Sequence, residues 1–420
     1  MKTQKTTLLA ALALGFAACA TPAANTNAPE IAVADQGAPR DVGTRATWMT
    51  QKFNAAAFQN IEEIFPSRRV AAATGQVAPL IASGRSFAPR YEFNGKTLGA
   101  DDFIASNHVS GLLILHGDKV LYERYALGAD PATRFISFSM GKSVVSTLVG
   151  EAVADGKIAS IDDMVTQYLP DVAGGAYEKA TIRNVLEMSS GTSFDESQAT
   201  ADSDLARFIG VLARNQGGLY DFAKGFKAVR EPGVKFNYAS ADTEVLGALL
   251  AKATGEPLAN YLSRKVWQPM GAEADARWIL DAPGSAGREA AAGGISARLR
   301  DYGRFGLMFL HNGKINGKQV VPADWVKVAT SPQSPHTQIG ALGTNAPRGY
   351  GYQWWLPPGE DGVYMAVGIH GQYIFVDQKR DLVIVKTAAW PTPGGSRALV
   401  EETLAFHAGV AAQIDRGEGG

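Results

Sequence analysis

The chain has 420 residues, with 40 Lys and Arg against 41 Asp and Glu and 46% hydrophobic residues. A near-neutral, well-stocked composition of this kind describes a globular protein with one large or two intermediate cores, and it offers no basic run or Gly-x-x-x-x-Gly-Lys loop for nucleic acid or nucleotide. The six histidines (His108, His116, His311, His336, His370 and His407) are scattered with no pair at metal-ligand spacing, so neither a metal nor an organic cofactor is expected.

At the start of the chain, Lys2 and Lys5 precede an apolar stretch from Leu8 to Ala18, too short to span a bilayer well. Ala17-Ala18-Cys19-Ala20 follows, the pattern of an export signal with small residues before a cleavage point. Cys19 is the one cysteine of the chain and cannot form an internal disulfide; its place resembles the lipidation site of bacterial lipoproteins, although Phe16 stands where such signals more often carry Leu. Ordinary cleavage beside an incidental cysteine is the alternative. Residues 20–44, rich in Ala, Thr, Asn, Pro and Gly, read as a flexible tether. The expectation is a signal peptide over 1–18, a lipid-anchored tether over 19–48 and a folded body over 49–415, exported to the periplasm or held on the outer membrane of a bacterium. The lipid anchor would be its only membrane contact.

Gly111 to Tyr125 reads as two strands of β-rich residues joined at the turn dipeptide Gly117-Asp118. Next comes Phe135-Ile136-Ser137-Phe138-Ser139-Met140-Gly141-Lys142-Ser143, at the start of a helix that runs apolar on more than one face and stops at Gly156. Residues at i and i+3 share a helix face, so Ser139 Oγ and Lys142 Nζ can touch. The orphan amides and positive dipole end of the first turn disfavour an ammonium there and favour a developing oxyanion. A serine hydroxyl is a poor nucleophile until a base takes its proton, and a lysine serves as that base only when its pKa is depressed. Alone the pair is weak evidence, because a chain of this length holds about one Ser-x-x-Lys by chance. An N-cap serine beside a solvated lysine is the plain alternative.

Helical patterns then dominate, over Ile161 to Leu169, Ile182 to Met188, Ser203 to Ala213, Ala241 to Thr254 and Ala297 to Leu310. In the last, Leu299, Tyr302, Phe305 and Phe309 form a core stripe. Strand patterns return in Tyr364 to Ile369, Tyr373 to Asp377 and Leu382 to Thr387, before a terminal helix from about Arg397 to Gln413. Sheet residues thus come from about 107–138 and 350–413, with a mostly helical part over about 139–345 between them.

Three segments add specificity: Ile161-Asp162-Asp163-Met164-Val165-Thr166-Gln167-Tyr168-Leu169-Pro170, Thr181 to Gly191 (Thr-Ile-Arg-Asn-Val-Leu-Glu-Met-Ser-Ser-Gly), and Ala292-Gly293-Gly294-Ile295-Ser296 before Asp301-Tyr302-Gly303-Arg304-Phe305-Gly306. With the Ser-x-x-Lys helix and this element order, the chain from about Asn107 onward resembles the serine β-lactamase-like hydrolase superfamily. That resemblance implies an α/β (α+β) fold of the β-lactamase and penicillin-binding-protein kind: an antiparallel sheet flanked by helices, plus a mostly helical subdomain. It also implies Ser139 as nucleophile and Lys142 as base. The family's Tyr-x-Asn or Tyr-x-Ser motif is matched by Tyr238-Ala239-Ser240, which implies Tyr238 as proton shuttle and Ser240 as an orienting hydroxyl; a core aromatic and an N-cap are the plain alternatives.

Where the family's Lys-Thr-Gly strand would lie, the chain reads Ala366-Val367-Gly368-Ile369-His370-Gly371-Gln372. Aligning Gly368 with the motif's glycine implies that the Ile369 amide joins that of Ser139 in an oxyanion site. A register on His370-Gly371 would move that amide to Gln372, and the spacing leaves both open. Either way the cation that engages a substrate carboxylate in β-lactamases and D-Ala carboxypeptidases is missing. The segment most closely resembles the 6-aminohexanoate-dimer hydrolase branch, which implies cleavage of small linear amides or esters. Gly351-Tyr352-Gln353-Trp354-Trp355 resembles a family segment that sets an aromatic wall near the acyl site, with Trp354 or Trp355 lining it. His370 reads as a proton carrier at the site edge or as an ordinary strand histidine. The rival functions are a β-lactamase or D,D-peptidase and a non-catalytic binding lipoprotein of the same fold.

Overall fold

A computed structural model describes residues 41–419, apart from 76, 85, 198–201, 344–346 and 360. The export segment and Cys19 lie outside the described residues. The hairpin expected near residue 117 forms from Val109–His116 and Lys119–Tyr125, with Gly117 at φ 56° in the turn. Side chains along it alternate between two cores: Leu113 and Leu115 join one, Leu112 and Ile114 the other. Strands Gln372–Asp377 and Leu382–Ala388 split the same way, Ile374, Val376, Val383 and Val385 against Tyr373, Phe375, Leu382 and Ile384. A sheet apolar on both faces needs a helix layer on each. Helix Leu299–Leu310 packs on one face, and Arg397–Asp415 lays Val400, Leu404, Phe406 and Val410 into the core on the other.

This sheet has eight strands in the spatial order 349–350, 355–356, 363–368, 372–377, 382–388, 109–116, 119–125 and 81–82. Every pair is antiparallel except the last, where Ile81–Ala82 runs parallel to Lys119–Val120. A second, four-stranded sheet of Ser67–Val70, Ala276–Ile279, Ile295–Arg298 and Arg134–Ile136 carries the chain to the Ser-x-x-Lys turn.

Three features depart from the sequence expectation. The helix expected over Ile161 to Leu169 covers only Val165–Tyr168, because the Asp163 carboxylate accepts from the Ser160 amide (3.1 Å) and the Tyr168 hydroxyl (2.7 Å) and closes a turn instead. Residues 297–298 belong to a strand, held by pairing with Arg134–Ile136, and the helix starts at Leu299. Strands also come from upstream of residue 107 and from inside the mostly helical part.

Candidate active site

Helix Met140–Ala154 is buried on nearly every side, which its apolar residues on several faces demand. Its polar residues are tied down in consequence: Ser143 Oγ donates to the Gln353 carbonyl (2.7 Å) and Thr147 Oγ1 to the Ser143 carbonyl (2.8 Å). Ser139 stands at its N-terminus, after Phe138 at φ 43°, a left-handed conformation a phenylalanine adopts only under restraint. Trp48 supplies some of that restraint by stacking on the Phe138 ring (centroids 5.7 Å, planes 12° apart). Two glycines let other segments reach this turn. A Cβ on Gly293 would lie 2.8 Å from the Phe138 backbone, and one on Gly368 would lie 2.5 Å from the Ser137 carbonyl oxygen.

Lys142 is 1% exposed, and its Nζ lies 3.0 Å from each of Ser139 Oγ, Ser240 Oγ and the Ala292 carbonyl oxygen. Burial pulls its pKa down to about 8, against the upward pull of the Glu196, Glu244 and Asp242 carboxylates. Ser240, 4% exposed, opens helix Ser240–Thr254. Tyr238, two residues earlier, interacts through its side chain with Ser139, and its ring centroid is 5.2 Å from Lys142 Nζ. Burial first, then the charge of Glu196, raises the Tyr238 pKa, so the phenol is neutral at physiological pH. Ser139, Lys142 and Ser240 thus form one hydrogen-bonded cluster, with the Tyr238 ring beside it.

Glu196 completes it, and nothing in its sequence neighbourhood pointed to it. Its carboxylate accepts from the Ser240 amide (Oε2, 2.8 Å) and the Ser240 hydroxyl (Oε1, 2.7 Å), and burial raises its pKa. Glu244 accepts from the Ala292 amide (2.8 Å), which fixes the carbonyl that faces Lys142; burial lifts its pKa to about 7. Asp242, also lifted to about 7 by burial, holds Ser190 and Tyr177. Gln353, at φ 64°, ties the two site helices together through Ser143 and Thr243.

Ser139 lies at the junction of two cavities. The first runs toward helix Asp204–Arg214; the second is lined by Tyr238, Trp355, Val367, Gly368 and Trp390. Ile369, Ser139 and Glu196 line both. Among the described residues neither cavity is lined by Lys, Arg or His.

Of the candidate pocket residues, Trp355 lines the second cavity, with its ring 5.2 Å from that of Tyr238. Trp354 does not: neighbouring residues point to opposite sides, and its fully buried ring packs against Phe309 (4.5 Å), Tyr364 (5.2 Å) and Phe305 (6.2 Å) in the core. His370 is no site-edge carrier either. It is fully buried, Nδ1 lies 2.7 Å from the Trp390 carbonyl oxygen, its ring packs on Phe58 and Phe138, and burial takes its pKa down to about 4. Gln372 is a clamp within the sheet, its amide nitrogen donating to the carbonyls of Ala388 (2.7 Å) and His370 (3.0 Å). Between the two registers left open by the spacing, Gly368 is the glycine that meets the Ser139 turn, whereas Gly371 (φ 89°) packs on Trp390. No group of three or more His, Cys, Asp or Glu is placed to hold a metal ion among the described residues.

Comparison with known proteins places this geometry in a family. The Beta-lactamase family model matches residues 100–408. The 6-aminohexanoate-dimer hydrolase of Paenarthrobacter ureafaciens is 30% identical over 85% of this chain and 91% of that protein. Esterase EstB of Burkholderia gladioli is 30% identical over 33% of this chain and 37% of its own length. In structure, a putative 6-aminohexanoate-dimer hydrolase from Bacillus anthracis superposes with a TM-score of 0.78 at 22% identity, covering 89% of this chain and 97% of the other, which supports the fold. The chain belongs to the Beta-lactamase family of hydrolases, on the fold that its Ser-x-x-Lys helix and two-faced sheet implied.

Proposed function

We propose that this protein is an exported serine hydrolase that cleaves small esters or linear amides through an acyl-enzyme on Ser139, with Lys142 as its base. One observation carries the reading: buried Lys142 Nζ lies 3.0 Å from Ser139 Oγ with two further acceptors, Ser240 Oγ and the Ala292 carbonyl, for its N–H groups. The Ala292 carbonyl can only accept. Ser240 Oγ has committed its one proton to Glu196, so toward Lys142 it too can only accept. A neutral amine keeps two N–H donors and one lone pair, and with both donors engaged the lone pair is left for Ser139 Oγ–H. Glu196 is a positioning residue in this scheme, acting on Lys142 through the Ser240 hydroxyl.

Lys142 takes the Ser139 proton as Oγ attacks the carbonyl carbon. The new oxyanion rests on the Ser139 and Ile369 amides. As the tetrahedral intermediate collapses, the neutral Tyr238 phenol gives its proton to the leaving atom and recovers one from Lys142, now an ammonium. Water then resolves the acyl-enzyme by the reverse relay. The absence of Lys, Arg or His from the described lining of either cavity argues against a substrate that must anchor a carboxylate, as penicillins and D-Ala-D-Ala peptides do. The names of the relatives, an amide hydrolase and an esterase, support the ester or amide class.

The test is intact-protein mass spectrometry of the folded domain after a fluorophosphonate probe, beside p-nitrophenyl butanoate turnover. One phosphonyl adduct and steady turnover are expected, and Ser139→Ala should lose the adduct and at least about a thousandfold of the rate. An adduct that persists in Ser139→Ala, or no adduct in folded wild type, sinks the proposal.

A further inference from the structure

Tyr238 lines the second cavity and not the first. In the relay above it is the group that protonates the leaving atom, so that atom and whatever it carries must point into the second cavity. The acyl chain, on the other side of the same carbonyl carbon, then has only the first to enter. The first is built for apolar matter. Helix Asp204–Arg214 presents Leu205, Phe208, Ile209 and Leu212 to it, at the i, i+3, i+4, i+7 spacing of one helix face, and Met49 and Ile279 line it as well. The charged side chains in its lining are two carboxylates, Glu196 on the Ser240 amide and hydroxyl and Glu244 on the Ala292 amide. An acyl chain that ends in a carboxylate would meet like charge and no cation among the described residues, and burying an unpaired charge is costly.

We infer that the first cavity is the acyl site and selects apolar acyl groups longer than acetyl over acyl chains that end in a carboxylate, whereas the Trp355 side receives the leaving group. This rests on the serine-hydrolase reading and names its substrate class. Among acids of six carbons it separates a hexanoyl group from an adipoyl group.

The experiment measures kcat/KM on p-nitrophenyl acetate, butanoate and hexanoate, and on the mono-p-nitroanilides of hexanoic and adipic acids. From acetate to hexanoate the value should climb about fourfold per methylene, the hydrophobic gain of one CH2. The adipoyl anilide should fall at least tenfold below the hexanoyl anilide. Ile209→Phe, which fills the cavity from a half-buried position, should lower the hexanoate-to-acetate ratio about tenfold; Trp355→Leu should move the ratio between p-nitrophenyl and ethyl butanoate instead. Such ratios do not depend on how much of a preparation folds. A flat chain-length series, equal turnover of the adipoyl anilide, or exchanged effects of the two variants would overturn the acyl assignment while fluorophosphonate labelling stayed intact. Loss of labelling and of all turnover in folded wild type would instead remove the hydrolase reading beneath it.

Discussion

Two lysines are buried among the described residues, and they differ in what they face. Lys386, on the strand Leu382–Ala388, is fully buried, with Nζ 2.6 Å from Asn107 Oδ1 and 2.7 Å from Thr403 Oγ1. Aromatic faces surround it: the centroids of Trp390, Tyr373 and Phe103 stand 4.4, 5.0 and 5.4 Å away. Burial drives its pKa well down, as it does for Lys142. Yet Lys386 touches neither cavity, and it rests on an amide oxygen and a threonine inside the core. Lys142 rests on a serine that opens onto both. A depressed lysine pKa therefore marks burial, and chemistry requires in addition a proton donor that can meet a substrate.

The sharpest way to break this comparison is to remove each amine in turn. Lys142→Met should slow ester turnover per folded molecule by on the order of a hundredfold or more, the usual weight of a general base. Turnover at the wild-type rate would make the two lysines equivalent and Lys142 structural. Lys386→Met should spare that rate. Asn107 and Thr403 lose a buried partner, so about 1–3 kcal/mol of stability should disappear in denaturant titration while the rate per folded molecule holds. A subtler change sharpens the contrast. The Glu196 carboxylate raises the Lys142 pKa, so in Glu196→Gln the acidic limb of the kcat/KM profile should move to lower pH. A limb that stays where it was would mean that Glu196 acts only on the fold around Ser240.

Much of the fold was legible because it rests on local periodicity: the hairpin about Gly117, the strands from 363 to 388 and the helix that begins at Ser240 all appeared from spacing alone. The sheet of Ser67–Val70 and its partners was not. Ser-Arg-Arg-Val carries no apolar alternation, and it is a strand because Ala276–Ile279 pairs with it across two hundred residues of chain. The site divides in the same way. Ser139 and Lys142 stand one helix turn apart, Tyr238 and Ser240 were implied by resemblance to a family motif, and the four lie together. Glu196 and the Ala292 carbonyl reach the cluster from loops: Ala292 opens a segment that was quoted with no role for its backbone, and Glu196, beside Asp195, stands in none of the quoted segments. Trp354 and Trp355 were indistinguishable as neighbours, since only the packing of Phe305, Phe309 and Tyr364 tells which face turns inward.

The most direct test of Lys142 as the base of Ser139 is the pH dependence of the rate at which a fluorophosphonate labels the wild-type protein. The amine is a base only when neutral, and its pKa is lowered to about 8, so labelling should rise tenfold per pH unit below that value and level off above it. A rate independent of pH, or one that levels off near the ordinary histidine value, would contradict the account.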